Sequence, residues 1–240
     1  MSITWNGTTS DSIGVIVERI PDRYIPTRRF SPQKVAGRNG DILLVDKSFP
    51  NVEQEYEVYL SAESAGLPSV ARACAEWLME PTGYEKLRDS YDTSTFRLAY
   101  LSSGFDIENV LNKFGKCKIT FSCKPQRFLD SGDSYSTVAS GGTLTNPTPF
   151  DAQPLLLVRT TGPATLTVNG KSIDILDVFH DLSIDCETME ATDTFDPSDP
   201  QPANTAIYCE DFPILSKGNN VITYTAGVHS LSVKPRWWTL

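Results

Sequence analysis

The chain has 240 residues, 40% of them hydrophobic and 21% charged, so it can bury one large core or two smaller ones and is not a disordered polyelectrolyte. No run of 18 apolar residues occurs, which excludes a membrane-spanning helix of ordinary length. The formal net charge of -9 disfavours a tight grip on nucleic acid.

In chain order, MSITWNGTTSDS lacks the basic and then apolar pattern of a secretory signal, so synthesis and folding in a cytoplasm are expected. Ile13, Val15 and Val17 alternate, which predicts a first strand over Ser12–Ile20. A basic island follows: Arg19, Arg23, Arg28, Arg29, Lys34 and Arg38 stand against Asp22 alone. Pro21, Pro26 and Pro32 run through it, and proline blocks both helix and central strand, so the island is expected to be an extended arm. In EQEYEVYL, Gln54, Tyr56, Val58 and Leu60 share one face and Glu53, Glu55, Glu57 and Tyr59 the other, the pattern of a half-buried antiparallel strand.

The segment from Pro68 to Met79 changes period. Val70, Ala73, Cys74, Trp77 and Leu78 fall on one helical face, bounded by Pro68 and by Pro81-Thr82-Gly83. A shorter helix is predicted over Asp106–Phe114, capped by Asp106. KCKITFSCK alternates strictly, with Cys117, Ile119, Phe121 and Cys123 inward. Leu129–Pro149 is rich in Ser, Gly, Thr and Pro and marks a boundary. Domains are accordingly expected at 1–130 and 146–240, with 131–145 as linker. Beyond it, ATLTVNGKSIDI reads as a hairpin with Asn169-Gly170 at a type I′ turn, pairing Leu166 with Ile173 and Ala164 with Ile175. LSIDCE, AIYCE, NVITYT and HSLSVKP continue as short strands, the spacing of a sandwich.

Chemistry is sparse. The five cysteines are odd in number and form no CxxC pair, so buried reduced thiols are expected. There are two histidines, His180 and His229, and no nucleophile elbow, phosphate loop or HExxH. Asp177, Asp181 and Asp185 recur every four residues but lack the calcium-loop pattern, and are expected to be a solvated acidic edge. The expectation is a non-catalytic protein without metal or cofactor. Trp237 and Trp238, in the closing PRWWTL, are expected to pack back on the protein.

Several stretches in order along the chain resemble the distal tail proteins of siphophages, the long, flexible-tailed bacteriophages: VAGRNGDIL (Val35–Leu43), FSCKPQRFL (Phe121–Leu129), the VNG hairpin, IDCETMEA (Ile184–Ala191), DFPILSKGNNVITY (Asp211–Tyr224) and PRWWTL (Pro235–Leu240). The resemblance implies a mainly β protein. Its N-terminal domain would be β-sandwich-like with one helix and an extended arm, and its C-terminal domain a galectin-like β-sandwich. It implies a virion protein of the tail tip or baseplate, assembled in the host cytoplasm. Six copies would form a ring joining the tail tube protein to the tail-associated hub protein, with receptor-binding protein as a further partner. Genomic DNA would pass through the channel without specific binding. The arm cations Arg19, Arg23, Arg28, Arg29, Lys34 and Arg38 would then serve the ring interface. The alternatives are a carbohydrate-binding host-adhesion module of the tail and a tail-associated hydrolase. Against sugar binding, Arg159 and Arg236 are the only arginines that residues 150–240 offer toward a His/Asn/Arg sugar-reading set, and no such set is evident there.

Overall fold

The computed structural model describes residues 1–46, 48–62, 66–111 and 114–240, and in it the chain is mainly β. It divides into two compact units, Met1–Arg127 together with Leu240, and Phe128–Thr239.

The first unit is built on one antiparallel sheet. Its strands are β1 (Ile3–Trp5), β2 (Thr8–Thr9), β3 (Val15–Val17), β6 (Val52–Ser61), β7 (Glu85–Asp89), β8 (Asp92–Leu101), β9 (Glu108–Leu111) and β10 (Phe114–Cys123), with β4 (Arg29–Gln33) and β5 (Ile42–Asp46) forming a separate ribbon. The sheet order is β2-β1-β7-β8-β10-β6-β3, with β9 added to β10. The sheet curls far enough that the Val17 amide donates to the Met1 carbonyl at 2.9 Å, bringing its two ends together. Alternation explains what lies inside the curl. Tyr56, Val58 and Leu60 of β6 meet Ile119 and Phe121 of β10, and Trp5 packs on Phe121 with ring centroids 4.8 Å apart. The helix α1 (Leu67–Met79) lays its buried stripe of Leu67, Val70, Cys74, Trp77 and Leu78 against this core, and the Trp77 indole donates to the Trp5 carbonyl at 3.2 Å. Ser122, expected outward, is buried and accepts from the Asn51 amide at 3.1 Å.

Two expectations are corrected here. The strand predicted over Ser12–Ile20 shrinks to Val15–Val17, because Ser10–Ile13 is a 3-10 turn ending at Gly14 in the left-handed region. A side chain at Gly14 would meet the Ser61 carbonyl at 2.8 Å, so glycine is required by space as well as by φ. The helix predicted over Asp106–Phe114 is instead strand β9, which pairs with β10 through a bulge between Phe114 and Gly115. Cross-strand hydrogen bonding overrides the local helical signal there, and Asn112 and Lys113 of that expected helix lie outside the described residues.

The second unit is a sandwich. Its strands are β11 (Arg127–Leu129, at the junction), β12 (Ser136–Thr137), β13 (Gly142–Asn146), β14 (Leu155–Thr160), β15 (Ala164–Val168), β16 (Lys171–Ile175), β17 (Leu182–Asp185), β18 (Glu190–Asp193), β19 (Gln201–Pro202), β20 (Ile207–Tyr208), β21 (Gly218–Tyr224), β22 (Val228–Lys234) and β23 (Trp238–Thr239). One sheet runs β12-β22-β14-β17-β18-β19, the other β13-β21-β15-β16-β20, and β23 pairs with β11. Leu156, Val158, Leu231 and Val233 from one sheet close a core with Leu166, Val168, Ile173 and Ile222 from the other. The hairpin register is Ala164↔Ile175 and Leu166↔Ile173, with Asn169 and Gly170 both at positive φ. Residues 131–145, expected as a linker, instead carry β12 and the start of β13, which hydrogen-bond to β22 and β21.

Candidate assembly interface

The arm has two parts. Glu18–Arg28 forms a foot without regular structure, and β4 and β5 form a two-stranded ribbon. Pro32 sits inside β4, which is permitted because a lone ribbon has edges that need no donor. The pairing places Phe30 with Val45 and Pro32 with Leu43 on one face, and Arg29 with Asp46, Ser31 with Leu44 and Gln33 with Ile42 on the other. The first face is wholly apolar, yet Phe30, Leu43 and Val45 are 51%, 57% and 56% exposed. An isolated ribbon is marginal in water by itself, and clustered exposed apolar side chains mark an interaction surface.

The foot is pinned from below. Gln54, buried on β6, donates to the Asp22 carbonyl at 3.4 Å and accepts from the buried Arg97 of β8 at 3.3 Å. A cleft of about 470 Å3 opens between foot and sheet, walled by Asp22, Tyr24, Glu53, Gln54, Glu55 and Glu57 among others. Apart from Asp22 of the foot, its acids come from the outward face of β6. Glu55 pairs with Lys118 at 2.6 Å and Glu57 with Arg19 at 3.5 Å. At the neighbouring Glu18, hydrogen bonds from Lys116 and Tyr59 hold the carboxyl below its ordinary range, and the same Glu18 contact raises Lys116.

The structure does not gather the six arm cations into one patch. Arg19 is at the cleft with Glu57. Arg23 donates to the Leu240 backbone carbonyl at 3.1 Å, a residue that clusters with the first unit. Arg28 stacks over Phe49, 4.9 Å from the ring centroid, at the ribbon root. Arg29 lies on the mixed face opposite Asp46, and Lys34 and Arg38 are exposed in the tip loop. In the second unit, Trp237 is buried in the core, while Trp238 stacks on Phe150 at 4.3 Å and donates to the Asp151 carbonyl at 2.9 Å.

The sequence reading missed three features. The apolar ribbon face needed the β4–β5 register, although ILLVD is visibly apolar. The cleft needed the foot to fold over β6. The third is a bidentate pair: Arg236 donates to both Asp185 oxygens at 2.7 Å. The Asp177/Asp181/Asp185 series does not act as one group. Asp181 pairs with Arg159, Asp185 with Arg236, and Asp177 caps the Val178 amide. Among the described residues no group of three or more His, Cys, Asp or Glu is placed to hold a metal, and no helix is long and apolar enough to cross a membrane. Burial pushes the Cys74 and Cys186 thiols up to about 12 and Cys117 to about 11.

No protein-family model matches the chain, and no curated protein matches it by sequence. Among solved structures it is similar to the SPP1 Dit (gp 19.1) protein, described as a paradigm of the hub adsorption apparatus in phages infecting Gram-positive bacteria. The TM-score is 0.70 at 13% sequence identity, over 97% of this chain and 96% of that one. From its first strand to its last, the chain has the fold of a siphophage distal tail protein.

Proposed function

We propose that this chain is a structural hub protein of a phage tail tip. Six copies associate through the first unit into a ring that joins the tail tube protein to the tail-associated hub protein. The ring surrounds a channel that DNA crosses without specific binding, and the protein is assembled in the host cytoplasm and carries out no catalysis. The observation that supports this reading most is the ribbon, a polar-tipped arm whose apolar face of Phe30, Leu43 and Val45 has no cover within its own unit. The likeness to SPP1 Dit in fold supports a tail-hub role.

Mass photometry and light scattering of the purified chain test it. The expected result is a species at six times 26.5 kDa that grows with concentration. Electron microscopy of tails labelled against the chain should place it at the tip. A chain that stays at 26.5 kDa at every concentration and is missing from labelled tails sinks the reading.

The second reading is a carbohydrate-binding adhesion module. It draws on a groove of about 340 Å3 in the second unit, where Tyr208 stands beside Lys171, Ser172, Asp174 and Asp211. An exposed aromatic next to polar side chains can stack on a sugar ring. Glycan-array binding lost in Tyr208→Ala, in a chain that forms no ring, would favour it.

A further inference from the structure

The first unit segregates its charge. Residues 1–127 hold 16 Lys/Arg and 16 Asp/Glu, so the unit is formally neutral, whereas residues 128–239 hold 5 and 14 and carry the whole net charge of -9. Within the neutral unit, the ribbon tip is basic. Lys34 and Arg38 face Asp41 alone, both are exposed, and neither makes an ion pair among the described residues. The cleft at the foot is acidic. Asp22 and Glu53 on its walls likewise have no cationic partner among the described residues. Concave acidic surfaces concentrate the field and attract cations.

We propose that the acidic cleft is the socket for the ribbon tip of a second copy of this chain. The inference rests on the ring reading above and adds to it the two surfaces that meet. Five paired rows separate the ribbon root from the tip, a reach of roughly 17 Å at about 3.3 Å per residue. Among the described residues Lys34 and Arg38 make no ion pair with their own cleft, so tip and socket on one copy can serve different neighbours. Gly37 and Gly40, both at φ +79°, and the hydrogen bond from the Arg38 amide to the Val35 carbonyl at 3.2 Å set the turn that presents the two cations. A tip-to-socket joint is heterologous: each copy gives one surface and receives the other. Such a contact closes into a ring when its rotation permits. The guanidinium of Arg38 suits a carboxylate-lined cleft, where its planar donors bind two oxygens at once.

The experiment uses two full-length variants, one with Lys34→Glu and Arg38→Glu, the other with Asp22→Lys and Glu53→Lys. All four positions are exposed, so both variants should keep the wild-type melting temperature. Each alone should stay monomeric where the wild type assembles, with the apparent dissociation constant raised at least about 100-fold by like-charge contact. Mixed one to one, they should assemble again. The reversed tip fits the reversed socket, and the native tip of the second variant fits the native socket of the first, so the two alternate around an even-membered ring. Either variant assembling alone, or a folded mixture that stays monomeric, overturns the proposal. So does loss of assembly in Ile16→Glu with none in the two charge variants, because Ile16 borders a different groove, beside Ile13 and Val70. A wild type that never assembles removes the ring reading itself and this joint with it.

Discussion

Gly132 has no room for a side chain. A Cβ there would collide with the amide nitrogen of Trp237 and meet its Cα at 3.1 Å, because the Arg236 amide donates to the Gly132 carbonyl at 2.8 Å and draws the two segments together. Gly132→Ala should cost about 1–3 kcal/mol, the usual range for overpacking, read as a lowered urea midpoint. Next to it, Arg236 holds φ +58°, a left-handed backbone that a non-glycine residue adopts at a cost. Its bidentate bond to Asp185, with side chains 20% and 24% exposed, offsets that cost. Burial alone would raise the Asp185 carboxyl, but hydrogen bonds from Arg236 and the Glu187 amide outweigh it and hold it below 3.8. A depressed carboxyl contributes stability in full above its unfolded value and loses it as pH falls through the folded one. Thermal unfolding should therefore show a drop between about pH 5 and pH 2 that is smaller in Asp185→Asn. At pH 7 that variant should already be about 1–3 kcal/mol less stable.

At the scale of elements, the hairpin of β15 and β16 is fixed by more than its turn. Asn169 donates to Asn220 at 2.6 Å and accepts from the Val221 amide at 3.0 Å, while Asn220, fully buried, donates to the Leu144, Ser216 and Gly218 carbonyls. Asn220→Ala should destabilise the protein by about 1–3 kcal/mol in chemical denaturation, because the buried side-chain amide and its hydrogen bonds to three partly buried carbonyls are lost together. On the ribbon the expectation is the reverse: Phe30→Ser with Leu43→Ser should leave the melting temperature near wild type, since surface changes rarely exceed about 0.5 kcal/mol, yet abolish higher-mass species in mass photometry. Which elements were legible follows from how each is held. KCKITFSCK and the NG hairpin carry their own alternation and turn chemistry, so register and facing could be read directly. Glu108–Leu111 is a strand only because β10 lies beside it. Ser12–Ile20 breaks only because Gly14 turns left-handed under Ser61. Pairing with a distant segment leaves no mark in local periodicity.

For the molecule as a whole, the basic island was visible in the sequence, but its sorting was not. Composition groups six cations, and folding disperses them to a cleft wall, a ring face, a ribbon root and a tip. Of the acids that would receive them, Glu53 was read only as part of the polar side of a strand and Asp22 only as the lone acid of the island. If exposed ion pairs bring copies together, raising salt from about 0.1 to 1 M, which shortens the screening length from ~10 to ~3 Å, should shift analytical ultracentrifugation profiles toward monomer. The sulfur chemistry of the fold has a practical consequence. With Cys74, Cys117, Cys123 and Cys186 buried inside the two cores as neutral thiols, the native thiol within reach of a maleimide dye is the partly exposed Cys209. In a Cys209→Ser background, a single Asn39→Cys handle in the exposed tip loop should thus take up fluorophore selectively, and its emission would report, copy by copy, whether a ribbon end sits in water or against a neighbour.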